Sequence, residues 1–337
     1  MKQVAPLFLL VLLTHAGIAT DAPAGGSDLA SEVSQAGWIA FSAQTETGDW
    51  DLFVMRPDGT HRHALTRTAD YNEAGVRFSP NGKRMLYYRM TREEPVDNNT
   101  YGTHELVVAD ANGANPTVIG RDFPWASWGP DSSQIACVTA DGIHLIDLAT
   151  RKLLNTRPRE GIFQQLIWSP DGKRFVGTAN GLGAFWNIGC VAMGGKLAAV
   201  SEIDRYNCTP DWMPDSSHLL YARGIVPNDG GRAQLWMADA DGSKRMMLYA
   251  EAGCHIYGAC ASPDGHFLLF TRSVEDLGPV ANSQTTMALV RRADTPMIGH
   301  PDDALRKQFP QARVAAPLDL GPGWEPHWTF SEAPGQP

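Results

Sequence analysis

Most of this chain consists of short runs in which apolar and polar residues alternate, separated by tight polar punctuation. The stretch Ile167-Trp168-Ser169-Pro170-Asp171-Gly172-Lys173-Arg174-Phe175-Val176 contains the whole unit. Its two-residue period and its aromatic and β-branched residues predict strand, turn, strand. Pro170 and Asp171 set the turn, and Gly172 takes the positive φ that a side chain resists. The phrase returns at Phe78-Ser79-Pro80-Asn81-Gly82, Trp128-Gly129-Pro130-Asp131-Ser132, Trp212-Met213-Pro214-Asp215-Ser216 and Ala261-Ser262-Pro263-Asp264-Gly265. A degenerate copy stands at Trp328-Thr329-Phe330-Ser331. The turn prolines at 80, 130, 170, 214 and 263 are 40 to 50 residues apart. A period of that length, holding several short strands, predicts an all-β fold, a β-propeller.

Each repeat divides into four antiparallel strands. The first leads into the Ser-Pro-Asp-Gly turn and the second leaves it. The third ends in a turn such as Asp110-Ala111-Asn112-Gly113 or Asp239-Ala240-Asp241-Gly242, and the fourth is short. The segment Gly181 to Gly195 blurs this pattern in the fourth repeat. The ends are complementary. Trp38-Ile39-Ala40-Phe41 reads as a second strand with no first strand before it, and Pro326-His327-Trp328-Thr329 as a first strand with no second after it. The expectation is a six-bladed propeller over 37–331, its C-terminal strand completing the first blade so that no apolar sheet edge stays open.

Composition places this domain in a compartment. Lys2 followed by the Leu-rich run Phe8 to Leu13 and small residues predicts a signal peptide over 1–19. Residues 20–36 read as a small, polar, disordered linker and 332–337 as a tail. A periplasmic or secreted location follows. The net charge of −9 argues against nucleic acid as a partner, and no further run is long enough to span a membrane. A monomer is expected. The five cysteines include no C-x-x-C pair, which argues against a zinc knuckle or a thioredoxin-type site, and neither a metal nor a cofactor is expected. Cys208 and Cys254, at first-strand entries of adjacent repeats, are a candidate disulfide.

The Trp-Ser-Pro-Asp-Gly-Lys turn, together with the Asp-Ala-Asp-Gly turn, resembles the TolB-type, WD-like repeat of exported bacterial propellers, over Gly37 to Ser331. The resemblance implies fold more than function. TolB-type proteins carry an extra N-terminal α/β domain, for which 19–37 leaves no room, so a role in the Tol envelope machinery is not carried over. Propeller lyases acting on pectic oligosaccharides share the repeat style, so the resemblance leaves an enzyme open.

Strand parity sorts the loops. Both glycine turns fall on one face, while the long connections 91–103, 224–232 and 273–285 fall on the other, where a binding surface is expected. A further insertion spans 293–311 on the sixth repeat, with a short helix near 302–308. First-strand entries carry aromatics beside amides and carboxylates, which suits a sugar or peptide: Tyr71, Asn72, Glu73, Trp125, Gln165, Asn207, His255, Tyr257 and Glu325. Three residues before each turn proline stand Arg77, Ser127, Ile167, Asp211 and Cys260, with His327 in the degenerate copy. Of these, Arg77, Asp211, Cys260 and His327 are the candidate axial channel, and Asp211 and His327 are also ligand-binding candidates. A Cys between His and Asp suits an activated thiol, part of a metal site, or a water-filled polar channel with a satisfied histidine.

Two function classes follow. The first is a non-catalytic binding module using the long-loop face for an envelope protein, peptide or glycan. The second is an oligosaccharide lyase or hydrolase at the axial mouth. For that chemistry Glu73, Asp211 and Glu325 are the carboxylate candidates, and His255, His327 and Gln165 are scattered ligand candidates. Nucleophile-elbow, phosphate-loop and dinucleotide motifs are missing from the sequence.

Overall fold

A computed structural model of the chain describes residues 25–97, 103–121, 123–224, 231–274 and 285–331. The expected signal peptide, the tail 332–337 and parts of the three long loops lie outside the described residues.

Among the described residues the strands form six sheets, and five of these are four-stranded. The first sheet orders Trp324–Thr329, Trp38–Gln44, Trp50–Met55 and His63–Ala64. The second runs Tyr71–Phe78, Arg84–Thr91, Glu105–Asp110, Thr117–Gly120, and the third Ser127–Trp128, Gln134–Val138, Ile143–Asp147, Lys152–Arg157. The fourth is Ile162–Trp168, Arg174–Ala179, Asn187–Ala192, Leu197–Ala199, so Gly181 to Gly195 does hold a third strand. The sixth is His255–Ala261, Phe267–Ser273, Thr286–Arg291, Leu318–Pro322. Four-stranded antiparallel blades of an all-β propeller account for this pattern.

The fifth sheet departs from uniform four-stranded blades. To Asn207–Trp212, His218–Arg223, Gln234–Asp239 and Met246–Ala250 it adds Met297–Ile298 and Arg313–Val314. Both additions pair in parallel, Tyr249 opposite Met297 and Met297 opposite Arg313. The insertion leaves the sixth sheet in sequence, crosses to the exposed edge of the fifth and covers it, which satisfies an otherwise open row of backbone groups. Its helix, Asp303–Gln308, is capped by Asp302, whose carboxylate accepts from the Leu305 amide at 2.7 Å.

The chain ends meet as their sequences require. Trp38 pairs with Thr329, Ile39 with Trp328 and Ala40 with His327, antiparallel. Gly37 at φ 86° fits against the Thr329 carbonyl, where a Cβ would lie 2.0 Å away. A linker disordered through 20–36 does not hold for its described part. Gly25–Val33 is a helix whose Leu29 and Val33 are buried with Met55, Leu320 and Trp328. Spaced four apart, the two side chains share a helix face and find an apolar seat under the first and sixth sheets. Arg291 fastens the helix from outside through Glu32 and Asp28.

Neighbouring sheets are clasped at the Ser-Pro-Asp-Gly turns. Inside the turn, the Ser169 hydroxyl donates to Asp171 and accepts from the Arg174 amide at 2.9 Å. Between turns, the Asn81 amide donates to the Ser132 hydroxyl and the Asp171 amide to the Ser216 hydroxyl, at 3.1 and 3.0 Å. Arg84 and Arg174 reach the carbonyls of the same two serines and lie over the Trp128 and Trp212 rings. Ser132 and Ser216 replace the turn glycine and hold its positive φ, 64° and 56°. A serine tolerated there brings a hydroxyl to the preceding turn.

Candidate functional site

The first strands surround the axis, and five of the six are bulged. Residues five places before the turn prolines, with the equivalent position in the degenerate copy, all have left-handed backbone: Gly75 (70°), Trp125 (54°), Gln165 (54°), Thr209 (48°), Gly258 (56°) and Glu325 (49°). Strand register slips at this level in the five longer first strands. Four of the six are not glycine, and Thr209 is β-branched, so the conformation is held against a local cost. Side chains of the bulges help hold it. The Gln165 carbonyl oxygen accepts from Thr178 at 2.6 Å and from the Thr209 amide at 2.7 Å, and the Thr209 hydroxyl accepts from the Gly258 amide at 3.1 Å. All six left-handed residues line one small chamber of about 50 Å³.

Towards the turn face the axis widens to a cavity of about 370 Å³. Pro80, Pro130, Pro170, Pro214 and Pro263 stand around it with Trp128, Trp168, Trp212 and Trp328. Its inner end carries Arg77, Ser127, Ile167, Asp211, Cys260 and His327, so the six residues at one level of the repeat meet on the axis. Arg77 and Ile167 line both spaces and stand where they adjoin. Of these two spaces, the larger therefore lies among the glycine turns, on the face opposite the one expected to carry the long loops. Trp125, Gln165 and Glu325 fill the axis at the bulge level, whereas short turn prolines and glycines leave it open.

The chemistry of the inner end is quiet. Arg77 donates to the Val76 and Glu325 carbonyls at 3.2 and 3.4 Å. His327 Nδ1 accepts from the Phe78 amide at 3.1 Å. Burial, aided by the Arg77 charge, pushes the imidazole down to about 3, so the ring is neutral with its proton on Nε2. Burial pushes Asp211 up to about 6 against the pull of Arg77, and its Oδ1 accepts from the Trp212 amide at 2.7 Å. The Cys260 thiol is buried, lies against the Pro326 carbonyl at 3.5 Å, and is pushed up to about 12 by burial and then by Asp211. A neutral imidazole cannot hold a thiolate, so the activated-thiol alternative has no footing here.

The other candidates do not join this site. Glu73 is fully buried between the first and second sheets, beside Asp51. Asn72 and Asn207 are buried loop fasteners, each amide nitrogen donating to two carbonyls: Arg92 and Glu94 for the first, Glu202 and Arg205 for the second. Tyr71 carries the Arg89 guanidinium 4.4 Å above its ring. His255 Nδ1 accepts from the Ala233 amide, and Tyr257 is buried in the cluster of Trp50, Trp128 and Trp324. The three carboxylates considered for glycosidic chemistry are thereby separated: Asp211 in the cavity, Glu325 in the chamber, Glu73 in neither. Among the described residues no three His, Cys, Asp or Glu side chains are grouped to hold a metal ion. The Cys208–Cys254 bridge does not form. Cys208 packs on the central aromatic cluster, while Cys254 is buried in a different one with its Sγ 3.5 Å from Glu251. The cavity tryptophans and the bulge residues Gly75, Thr209 and Gly258 were missed, although aligning the repeats on their prolines puts each set at one position.

No family model and no curated protein matches this sequence. Solved structures do. TolB from Acinetobacter baumannii matches with a TM-score of 0.62 at 14% identity, over 88% of this chain and 67% of that one. Putative TolB from Agrobacterium tumefaciens matches at 0.54 and 15%, over 76% and 84%. The fold is a TolB-like β-propeller. A chain of the nidogen/laminin complex matches the TolB-like propeller at 0.53 and 13%, over 76% and 90%. At such identities the likeness is one of fold, and function has to be read from the site. Among the described residues no helix is long and apolar enough to cross a membrane.

Proposed function

We propose that this chain is an exported, monomeric, non-catalytic binding module, a ring of six blades that takes a peptide segment of a partner protein into its axial cavity. The observation that carries this reading is the cavity of about 370 Å³ among the glycine turns, walled largely by proline and tryptophan, with Ser79, Asn81, Thr329 and Ser331 at its turns and Arg77, Asp211 and His327 at its inner end. Such a space buries an apolar chain segment while a few polar groups fix its orientation. We therefore put the mouth on the turn face instead of the long-loop face. An inert thiol and separated carboxylates favour binding over turnover.

The test is affinity selection from a pool of N-acetylated, C-amidated pentapeptides. Wild-type protein is expected to retain a subset of the pool. Ile167→Trp, which fills the cavity without touching its turns, is expected to lose that subset while keeping its circular dichroism. Retention of the same peptides by Ile167→Trp, or of none by wild type, overturns the proposal.

A further inference from the structure

The cavity holds a cation and an anion that do not meet. Arg77 reaches its inner end from the second sheet and donates to two backbone carbonyls, those of Val76 and Glu325. No carboxylate of the described residues lies within 4 Å of its guanidinium nitrogens. Asp211 lines the same cavity, but its Oδ1 is engaged by the Trp212 amide. A guanidinium without a carboxylate partner, in a space narrowed by tryptophans, is a receptor for an oxyanion, and its planar fork suits a carboxylate.

Resting on the reading that the cavity binds peptide, we propose that it selects a peptide bearing a free chain-terminal carboxylate, with Arg77 as the receptor and Asp211 as a built-in competitor. The small chamber behind Arg77, about 50 Å³, has room for a few waters and no residue of a peptide, so a chain entering from the turn face ends there. The charged or titratable groups facing Asp211 are Arg77, Cys260 and His327, and the Glu325 side chain stands in the chamber behind Arg77. His327 is neutral well below pH 5 and the thiol well above pH 9, which leaves Asp211 to set the charge beside Arg77 in between. As pH falls through about 6 that carboxylate takes a proton, the cavity loses that negative charge beside Arg77, and an incoming carboxylate no longer meets it.

The experiment uses the same pentapeptide pool made twice, amidated and with free C-terminal carboxylates, and trigalacturonate as a third probe. Wild type is expected to favour the free-acid pool roughly tenfold at pH 5, the scale of one charge-assisted hydrogen bond, and less at pH 7.5. Arg77→Gln is expected to erase the preference, Arg77→Lys to keep part of it, and Asp211→Asn to hold it at its pH 5 value at both pH values. Equal recovery of acid and amide pools by wild type overturns the inference while leaving the peptide reading standing. A preference that survives Arg77→Gln also overturns it. Recovery of neither pool removes both, and Arg77-dependent capture of trigalacturonate alone would replace the peptide with a uronate.

Discussion

At the scale of single residues, the same side-chain types take opposite roles according to the protein around them. Glu73 looked like a rim carboxylate and is instead sealed beside Asp51, with the Thr68 hydroxyl on its Oε1. Burial first, then the neighbouring Asp51, pushes it up to about 8 from an ordinary 4.5. The folded state therefore holds a proton that the unfolded chain releases. This group's contribution is fully present below about pH 4.5 and is lost as pH rises through about 8. Glu73→Gln keeps the neutral form. Urea titrations are expected to show that it loses less stability than wild type between pH 5 and pH 9, by up to about 4 kcal/mol. An unchanged pH profile would mean that Glu73 is ionised in the fold. Nothing in Tyr71-Asn72-Glu73 announces this, because burial of the carboxylate depends on Asp51 and Thr68 arriving from the neighbouring strand and connection.

At the scale of the element, the turn is both a local structure and a joint. The sequence Trp-Ser-Pro-Asp-Gly predicts its shape from local chemistry alone. The variant Asp-Ser-Ser, at 131–133 and 215–217, looks like decay of the motif. It works instead as a clasp, since the first serine hydroxyl accepts an amide of the preceding turn. Ser132→Ala and Ser216→Ala each remove one such acceptor and leave a backbone N–H without it. Each is expected to cost about 1 kcal/mol, and the pair about twice that, because the two clasps are far apart in the ring. Chemical denaturation of both single mutants and the double mutant checks this. The bulges teach the converse. The glycines at 75 and 258 hint at left-handed backbone, but Trp125, Gln165, Thr209 and Glu325 take the same conformation with no local reason to do so. What holds Gln165 and Thr209 there is a hydrogen-bond chain passing between blades.

At the scale of the whole molecule, closure of the ring decides stability. Gly37 sits where the two chain ends meet, with the Thr329 carbonyl 2.0 Å from the place of a Cβ. Gly37→Ala must displace backbone as well as strain φ, so it is expected to cost 2 kcal/mol or more and to speed proteolysis. Limited trypsin digestion beside a thermal melt reads both, and wild-type behaviour would show that the closing strand pair contributes little. The sequence by itself determined the repeat, the strands around each proline turn, the complementary ends and the level at which Arg77, Ser127, Ile167, Asp211, Cys260 and His327 stand. These follow from period-two alternation and turn chemistry, which act between residues near in sequence. Tertiary structure alone decided that the insertion after residue 292 covers the fifth sheet, that Gly25–Val33 folds as a docked helix and that Cys208 and Cys254 stay apart. It also decided that the larger of the two axial spaces lies among the turns. Each of those outcomes depends on which surface is left uncovered when the sheets assemble, and that is settled by packing between segments distant along the chain.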